Sequence, residues 1–548
     1  MVLESTRCIV CEAGSSVIFA ANALDAILFN SSFALTVFAI AAAAAVVVAV
    51  CSVYVFGSVA QRKRGEDAYA LPTQADGTEL DRLVTPLEVV HPEESGLQLL
   101  SHNLAAFRAR LQTARLAGRS LDLQYYFWKA DLTGRLLCLE LIAAADRGVR
   151  VRFLLDDINS FGFDRTYIAL DSHPNIEVRL FNPSRSRSDA FRRGIELIVK
   201  YFTATRRMHN KCWIADGRIA IVGGRNIGDE YFDASEAANF QDIDVMAVGK
   251  AVAQAEAVFD DYWNSEAALP IRILHKLRNP RLSKLVERLQ THCGTGRARK
   301  FLYLAQGHTE QIPAFTAPDQ FHWSREASVI ADPPEKASGL GKEHWLGEQI
   351  NAMLKSAVKS LRIISPYFIP GEAGAKTLIG LAAQGVDVRV LTNSLAATDV
   401  IAVHGAYARY RKILIRHDVS IHELKPEPGR HRASLFGSKT ASLHTKAFLV
   451  DGELGFVGSF NLDPRSRSIN TEMGLLFRCP SLARQLQRIF ANQSSLEASY
   501  RVEEKAGKLR WTDEKDGTVQ HYQSEPEAPL RRILPAKLIA WLPIESQL

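Results

Sequence analysis

Cysteine is scarce and scattered: Cys8, Cys11, Cys51, Cys138, Cys212, Cys293 and Cys479 are the only seven in 548 residues, and several lie inside apolar runs. Such thiols behave as small hydrophobes, so no disulfide framework is expected. Cys8 and Cys11 form a C-x-x-C pair, but it has no second pair and no βα context, which argues against a metal or redox site. No long low-complexity tract is present, and 47% apolar against 23% charged residues excludes a mostly disordered chain. A strong charge imbalance is missing too. The net charge of +6 is small for this length and does not decide between a phospholipid surface and nucleic acid as an acidic partner. The length itself exceeds one core and predicts roughly two to four domains.

Charge is absent altogether from Ala26 to Gln61, where the centre reads "FALTVFAIAAAAAVVVAVCSVYVFG". About twenty apolar residues suffice to cross a bilayer as a helix. Arg62, Lys63 and Arg64 follow at once, whereas Glu4, Glu12 and Asp25 precede the run against Arg7. By the positive-inside tendency this predicts a single-pass anchor with the bulk of the chain cytoplasmic. Two alternatives would export the chain: "SVA" before Gln61 as a signal-peptidase site, or Cys51 as a poor lipobox cysteine. The length of the run and its lack of a basic start favour the anchor, and nothing polar interrupts it as a buried core helix would allow.

What is present is a repeat. "HNKCWIADGRIAIVGGRN" from His209 matches "HTKAFLVDGELGFVGSFN" from His444, an offset of 235 residues with His, Lys, Asp, Gly, Val, Gly and Asn in register. Upstream, "SLDLQYYFW" and "LRIISPYFIP" carry paired aromatics, Tyr126–Phe127 and Tyr367–Phe368. "GRLLCLELIAAADRGVRVRFLLDD" reads as a helix ending at Gly148 and then a buried strand, paralleled by "KTLIGLAAQGVDVRVLTNS" with Gly385. Downstream, "FQDIDVMAVG" and "INTEMGLLFR" place Asp242 opposite Glu472.

Alternating strands and helices predict two α/β units, each a mixed sheet covered by helices, related by a pseudo-two-fold. The expected boundaries are tail and anchor 1–64, linker 65–100, first unit 101–270, connecting insertion 271–340, second unit 341–500 and C-terminal extension 501–548. That extension ends in "LRRILPAKLIAWLPI", which suits either a helix lying on a membrane or one docked on the domain.

The repeated stretch has the residue types of phosphoryl chemistry. In a strand alternate side chains share a face, so His209 and Lys211 point the same way. Asp216–Gly217 then makes a hairpin turn. A plain hairpin explains one copy; core packing gives no reason to repeat His, Lys and Asn at matched positions in a second. Two such hairpins meeting would build a phosphate pocket without metal. One imidazole can attack phosphorus while the other protonates the leaving oxygen, and lysine ammoniums and asparagine amides stabilise charge on the remaining oxygens. Asp242 and Glu472 are expected to orient the histidines through their other ring nitrogens. Asp216 and Asp451 belong to the same motifs, but as turn residues they are expected to organise the loop or pair with a basic neighbour.

The duplicated H-x-K-x4-D segments, each followed by G-G-x-N or G-S-x-N, resemble the phospholipase D superfamily. "LDLQYYFW", "DLTGRLL", "RRMHNKCWIAD", "VGGRNIGDEYF", "DYWNS", "SPYFIPG" and "LPIESQL" are similar to bacterial cardiolipin synthases of the C type, over roughly residues 70 to 548. The resemblance implies a bacterial inner-membrane enzyme that makes cardiolipin by moving a phosphatidyl group onto phosphatidylglycerol, with phosphatidylethanolamine as donor. It implies no cofactor or metal. His209, Lys211, Asp216, Gly224 and Asn226 match the first motif; His444, Lys446, Asp451, Ser459 and Asn461 match the second. Gly224 stands where many members have serine, which removes a hydroxyl but leaves the triad intact. Family precedent makes His209 the nucleophile and His444 the acid and base.

Other readings share these residues. A phospholipase D would pass the same intermediate to water. A metal-independent nuclease is disfavoured by the apolar run and near-balanced charge, and a decayed scaffold by two complete motifs. Phospholipids and the membrane are the expected partners; nucleic acid is not, and a small accessory membrane protein stays open. The segment "FRRGIELIVKYFTATRRM" suits either a membrane-facing helix at the pocket mouth or a packed helix with solvated arginines.

Overall fold

The computed structural model describes residues 36–48, 50, 65–160, 163–183, 206–274, 281–306, 320–426, 440–515, 517–542 and 545. The chain divides into two compact units, one of residues 1–63 with 188–201 and one of 64–187 with 202–548. In the smaller unit, described residues 36–48 and 50 are helical with exposed apolar side chains. Among the described residues no helix is long and apolar enough to cross a membrane, and most of the uncharged run expected as an anchor lies outside them, as does most of residues 191–208. All that follows concerns the larger unit.

Its first half carries strands β1 (Ser95–Leu100), β2 (Ser120–Tyr125), β3 (Arg150–Asp156), β4 (Ile176–Phe181), β5 (Cys212–Ala215), β6 (Ile219–Gly223), β7 (Ala238–Gln241), β8 (Asp244–Gly249), β9 (Ala268–Pro270) and β10 (His322–Ser324). The second half carries β11 (Ala327–Ala331), β12 (Ser360–Ile364), β13 (Asp387–Asn393), β14 (Ser420–Leu424), β15 (Thr440–Leu443), β16 (Lys446–Val450), β17 (Leu454–Gly458), β18 (Met473–Arg478), β19 (Ser499–Lys505), β20 (Lys508–Lys515) and β21 (Thr518–Tyr522). The first sheet runs β10-β1-β8-β6-β5-β2-β3-β4-β9 and the second β11-β18-β17-β16-β12-β13-β14-β19-β20-β21. Strand for strand they correspond, with β8, β6, β5, β2, β3, β4 opposite β18, β17, β16, β12, β13, β14. In both, the three strands linked by helices are parallel and the motif hairpin is antiparallel, so both sheets are mixed.

Local chemistry explains the shared order. The helix Leu132–Asp146 starts at Asp131, whose carboxylate accepts the Gly134 N–H, and ends at Gly148 in left-handed conformation (φ 95°). Gly385 (φ 89°) ends the helix Gly371–Ala383 in the same way. Each motif hairpin closes through two positive φ angles, 54° and 67° at Asp216–Gly217 and 52° and 72° at Asp451–Gly452; this tight turn matches the twist of the flanking strands.

Helices cover the outer faces with a separate apolar core in each half. Between the halves lies a third core to which both sheets contribute, including Cys212, Ile214 and Val245 from one and Ala447, Leu449 and Leu475 from the other. The helices Lys250–Trp263 and Pro480–Gln493 complete it. The halves are therefore joined by a continuous apolar interior. Cys138, Cys212 and Cys479 are buried free thiols and Cys293 is a half-buried one.

Three segments outside the two repeated motifs add strands to the sheets. Residues 65–100 are no mere linker: they supply the helix Glu79–Val90 and β1, which pairs along its full length with β8. Residues 271–340 give each sheet an outer strand, β10 and β11, and the helices Leu282–Cys293 and Gly296–Ala305, which pack on the first core. Residues 499–522 extend the second sheet by the β19–β20–β21 meander.

Asp216 accepts the backbone N–H groups of Gly118 (2.9 Å), Arg119 (2.7 Å) and Ser120 (2.9 Å), fixing the entry to β2. Asp451 does the same for Val358 (3.0 Å), Lys359 (2.7 Å) and Ser360 (2.8 Å) before β12. Removing a buried acceptor strands its donors. Asp216→Ala is expected to lower unfolding stability by about 3 kcal/mol, and Asp451→Ala by less because water can reach the exposed Val358 and Lys359; urea denaturation checks both.

Candidate active site

Each motif histidine stands just before its strand and is held there by the opposite half. The His209 N–H donates to the Thr471 carbonyl (2.8 Å) and the His444 N–H to the Gln241 carbonyl (2.8 Å). Thr471 and Gln241 are the residues immediately before Glu472 and Asp242. In the second of these exchanges β15 lies parallel to β7, residues 440–443 against 238–241; in the first, Met208 forms a single parallel bridge with Thr471.

The consequence is a crossed pairing of side chains. His209 Nδ1 lies 2.7 Å from Glu472 Oε2, and His444 Nδ1 lies 2.6 Å from Asp242 Oδ2. Each imidazole thus takes its acidic partner from the other half. With Nδ1 engaged, Nε2 is the ring nitrogen left for chemistry in both.

The lysines stand beside the histidines. Lys211 Nζ donates to the His209 carbonyl and Lys446 Nζ to the His444 carbonyl. Lys211 Nζ also sits 5.4 Å from the Tyr126 ring centre and Lys446 Nζ 6.0 Å from that of Tyr367. Tyr126 meets His209 edge-on (5.2 Å). Tyr231 meets His444 edge-on (5.1 Å), and Phe240 lies against its other side (5.1 Å). The rings pack against both imidazoles.

Burial dominates the electrostatics. It pulls His209 well below the usual histidine range, and Lys211, Lys446 and His444 push the same way. Burial likewise raises Glu472 to about 7, against Lys211 and the hydroxyls of Ser459 and Ser466. His444 is also lowered by burial and by Lys446, but Asp242 opposes the shift. Asp242 resists its own burial because His444, Lys446 and Arg225 hold it at about 2. Lys446 is lowered to about 8 and Lys211 well below its ordinary value, both first by burial.

The two carboxyl groups are supported differently. Glu472 accepts Ser459 Oγ (2.5 Å) and Ser466 Oγ (2.8 Å). Asp242 accepts the N–H of Ile243 (2.8 Å), and its carbonyl takes a bond from the buried Arg225, which also reaches Leu100 O (2.8 Å) and Asn103 Oδ1 (2.9 Å). Gly224 explains the contrast. A Cβ there would lie 2.4 Å from Asp242 Oδ1 and 2.7 Å from Oδ2, so the shorter acid leaves no room for serine. Ser459 fits because Glu472 reaches in by one more methylene.

The other motif residues serve at one remove. Asn226 donates to the Tyr231 hydroxyl (3.2 Å), steadying the ring against His444. The Asn461 N–H donates to Ser466 Oγ (3.1 Å), and its side-chain oxygen is buried without a hydrogen-bond partner among the described residues. Asp216 and Asp451 are not brought to the pocket. β5 runs antiparallel to β2 with Ala215 beside Leu121 and Cys212 beside Gln124, so Asp216 lies at the opposite strand end from His209.

Several neighbours carried no sequence signal as site residues. Asp156, at the end of β3, accepts the Met208 N–H (2.8 Å) and fixes the chain before His209. Tyr367 donates to Asp399 (2.8 Å) beside Lys446. Ser466 could have been suspected only as a hydroxyl near the second motif. Among the described residues no three His, Cys, Asp or Glu side chains are grouped to hold a metal ion.

The family model described as "Cardiolipin synthase, PLD-like domain" matches residues 109–263 and 350–494, one match for each half. Cardiolipin synthase C of Escherichia coli is 38% identical over 470 residues, covering 84% of this chain and 98% of that protein. A cardiolipin synthase of a Geobacillus species is 27% identical over 379 residues, covering 69% of this chain and 61% of that protein. Among solved structures, phosphatidylserine synthase of Haemophilus influenzae superposes with a TM-score of 0.51 over 85% of this chain and all of that one; at 14% identity the likeness concerns the fold. Two PLD-like halves in one chain, and extensive identity to a cardiolipin synthase along most of its length, make this chain a member of the cardiolipin synthase family.

Proposed function

We propose that the protein is a cardiolipin synthase that transfers a phosphatidyl group to phosphatidylglycerol through a phosphohistidine. The observation that carries this reading is the pair of crossed histidine–carboxyl contacts, His209 with Glu472 and His444 with Asp242, beside two buried lysines. It is the arrangement that a double displacement at phosphorus requires: a nucleophile, a separate proton carrier and cations for the phosphate oxygens.

His209 is the nucleophile. Burial and the adjacent lysines keep its imidazole neutral, so the Nε2 lone pair is free to attack the donor phosphorus. The P–N bond forms as the bond to the alcohol oxygen breaks, with phosphatidylethanolamine as donor and ethanolamine as the leaving alcohol. His444 protonates that oxygen. Its partner Asp242 is ionised across the neutral range and stabilises an imidazolium as no neutral acid could. Once neutral, His444 takes the proton of a phosphatidylglycerol hydroxyl, whose oxygen displaces Nε2 and releases cardiolipin. Lys211 and Lys446 stabilise charge on the remaining phosphate oxygens; the incoming anion restores the counter-charge that burial denies them. Asp216 and Asp451 act through the turns, and Asn226, Asn461 and Ser459 through the groups they hold. The uncharged run before Arg62 anchors the chain in the bacterial inner membrane with the catalytic unit cytoplasmic.

Product analysis with phosphatidylglycerol and phosphatidylethanolamine tests the reading. Cardiolipin is expected, and His209→Ala or His444→Ala should each lower turnover by roughly 10⁴-fold. Wild-type enzyme quenched during turnover in alkaline denaturant, where a P–N bond survives, should carry the phosphatidyl group on His209. Phosphatidic acid without cardiolipin would mean hydrolysis, and a labelled His444 would reverse the roles.

The lysine shifts set a pH dependence. Lys446 is a cation below about 8 and loses its proton above it, so kcat/KM should fall as pH rises through that value. Lys446→Arg, always charged, should lose this basic limb even where its maximal rate is lower. A pH–rate profile of the two proteins checks the difference.

A further inference from the structure

The helix Leu530–Ile539 buries only Ala536. It packs on the helix Ile401–Arg416 where Gly405 permits a close approach: a Cβ there would lie 2.6 Å from the Ala536 carbonyl. Arg409 ties down its C-terminal end through the carbonyl of Leu542 (2.8 Å). The opposite face is a ridge of Leu530 (71% exposed), Leu534 (64%), Leu538 (65%) and Trp541 (86%). Their spacing of four places the three leucines along one side of the helix, and Trp541 continues the line in the turn that follows.

Two observations say what covers this ridge. From Ala528 to Leu542 the chain carries Arg531, Arg532 and Lys537 and no acidic residue, so the segment bearing the ridge is positively charged, complementary to an anionic surface. The helix is also joined to the pocket. Arg532 donates to the Thr398 carbonyl, the next residue, Asp399, accepts the Tyr367 hydroxyl, and the Tyr367 ring faces Lys446. We infer that this C-terminal helix lies in the interface of an anionic phospholipid bilayer and seats the rim of the pocket against the headgroups it draws on. Leu and Trp side chains enter the headgroup boundary while arginine and lysine meet lipid phosphates. The inference rests on the phospholipid reading of the site.

The chain carries its own probe. Of its seven tryptophans, Trp541 is strongly exposed, while Trp128, Trp213, Trp263, Trp345 and Trp511 are buried and Trp323 is half-buried. Full-length protein reconstituted in phosphatidylglycerol vesicles with brominated acyl chains should lose a component of its emission that Trp541→Phe lacks. Equal quenching of both proteins would overturn the inference and leave the ridge to a protein partner. In parallel, the double variant Leu534→Glu with Leu538→Glu should lose about tenfold or more of its activity on vesicles, yet match wild type on short-chain phospholipids below their micellar concentration. Unchanged activity on vesicles, or equal loss on both substrates, would also overturn it. If the wild type turns over neither substrate, the phospholipid reading of the site falls, and the quenching experiment still decides whether the helix meets lipid.

Discussion

Each histidine of the pocket is oriented by a carboxyl group from the other half of the chain, and the architecture follows from that exchange. For Glu472 to reach His209 and Asp242 to reach His444, two sheets must face one another closely enough for the segment before each histidine to bond to the segment before the opposite acid. Thr471 and Gln241 make those bonds. The apolar core shared by the two sheets holds the separation. Neither half contains a complete site, so two halves must face one another for the pocket to form.

The near symmetry is broken where the chemistry needs two different roles. A shorter acid with Gly224 beside it stays ionised next to His444, whereas a longer one, held by Ser459 and Ser466, rises toward neutrality next to His209. The substitution of glycine for serine in the first motif is then part of the matching of side-chain lengths, because the Asp242 carboxylate occupies the space a serine would need. An acid–base histidine and a nucleophilic one differ in which charge state must be stabilised, and the pair of carboxyls differs in that sense.

Much of this was legible in the sequence. The family resemblance rested on residues the chemistry itself demands, and the Asp-Gly turns and the glycines ending the helices declared themselves by conformations few other residues adopt. The matched positions of Asp242 and Glu472 point to the histidines, and each carboxyl lies within hydrogen-bond reach of an imidazole Nδ1. The crossing was not legible, because a contact between residues 263 apart leaves no local period to read. Asp156, Tyr231 and Arg225 were missed for the same reason: each acts through a backbone group or a ring edge set by tertiary packing. The pairing of β1 with β8 and β10 has no local sign in the sequence because its partners lie more than a hundred residues away.

The crossed pairing can be measured directly by ¹⁵N NMR of histidine-labelled protein, with His209 and His444 assigned by their alanine variants. Asp242→Asn removes the anion beside one imidazole and should lower the pKa of His444 while leaving the titration of His209 in place. A shift of His209 in that variant, with His444 unmoved, would mean that each carboxyl serves the histidine of its own half, and would contradict the account.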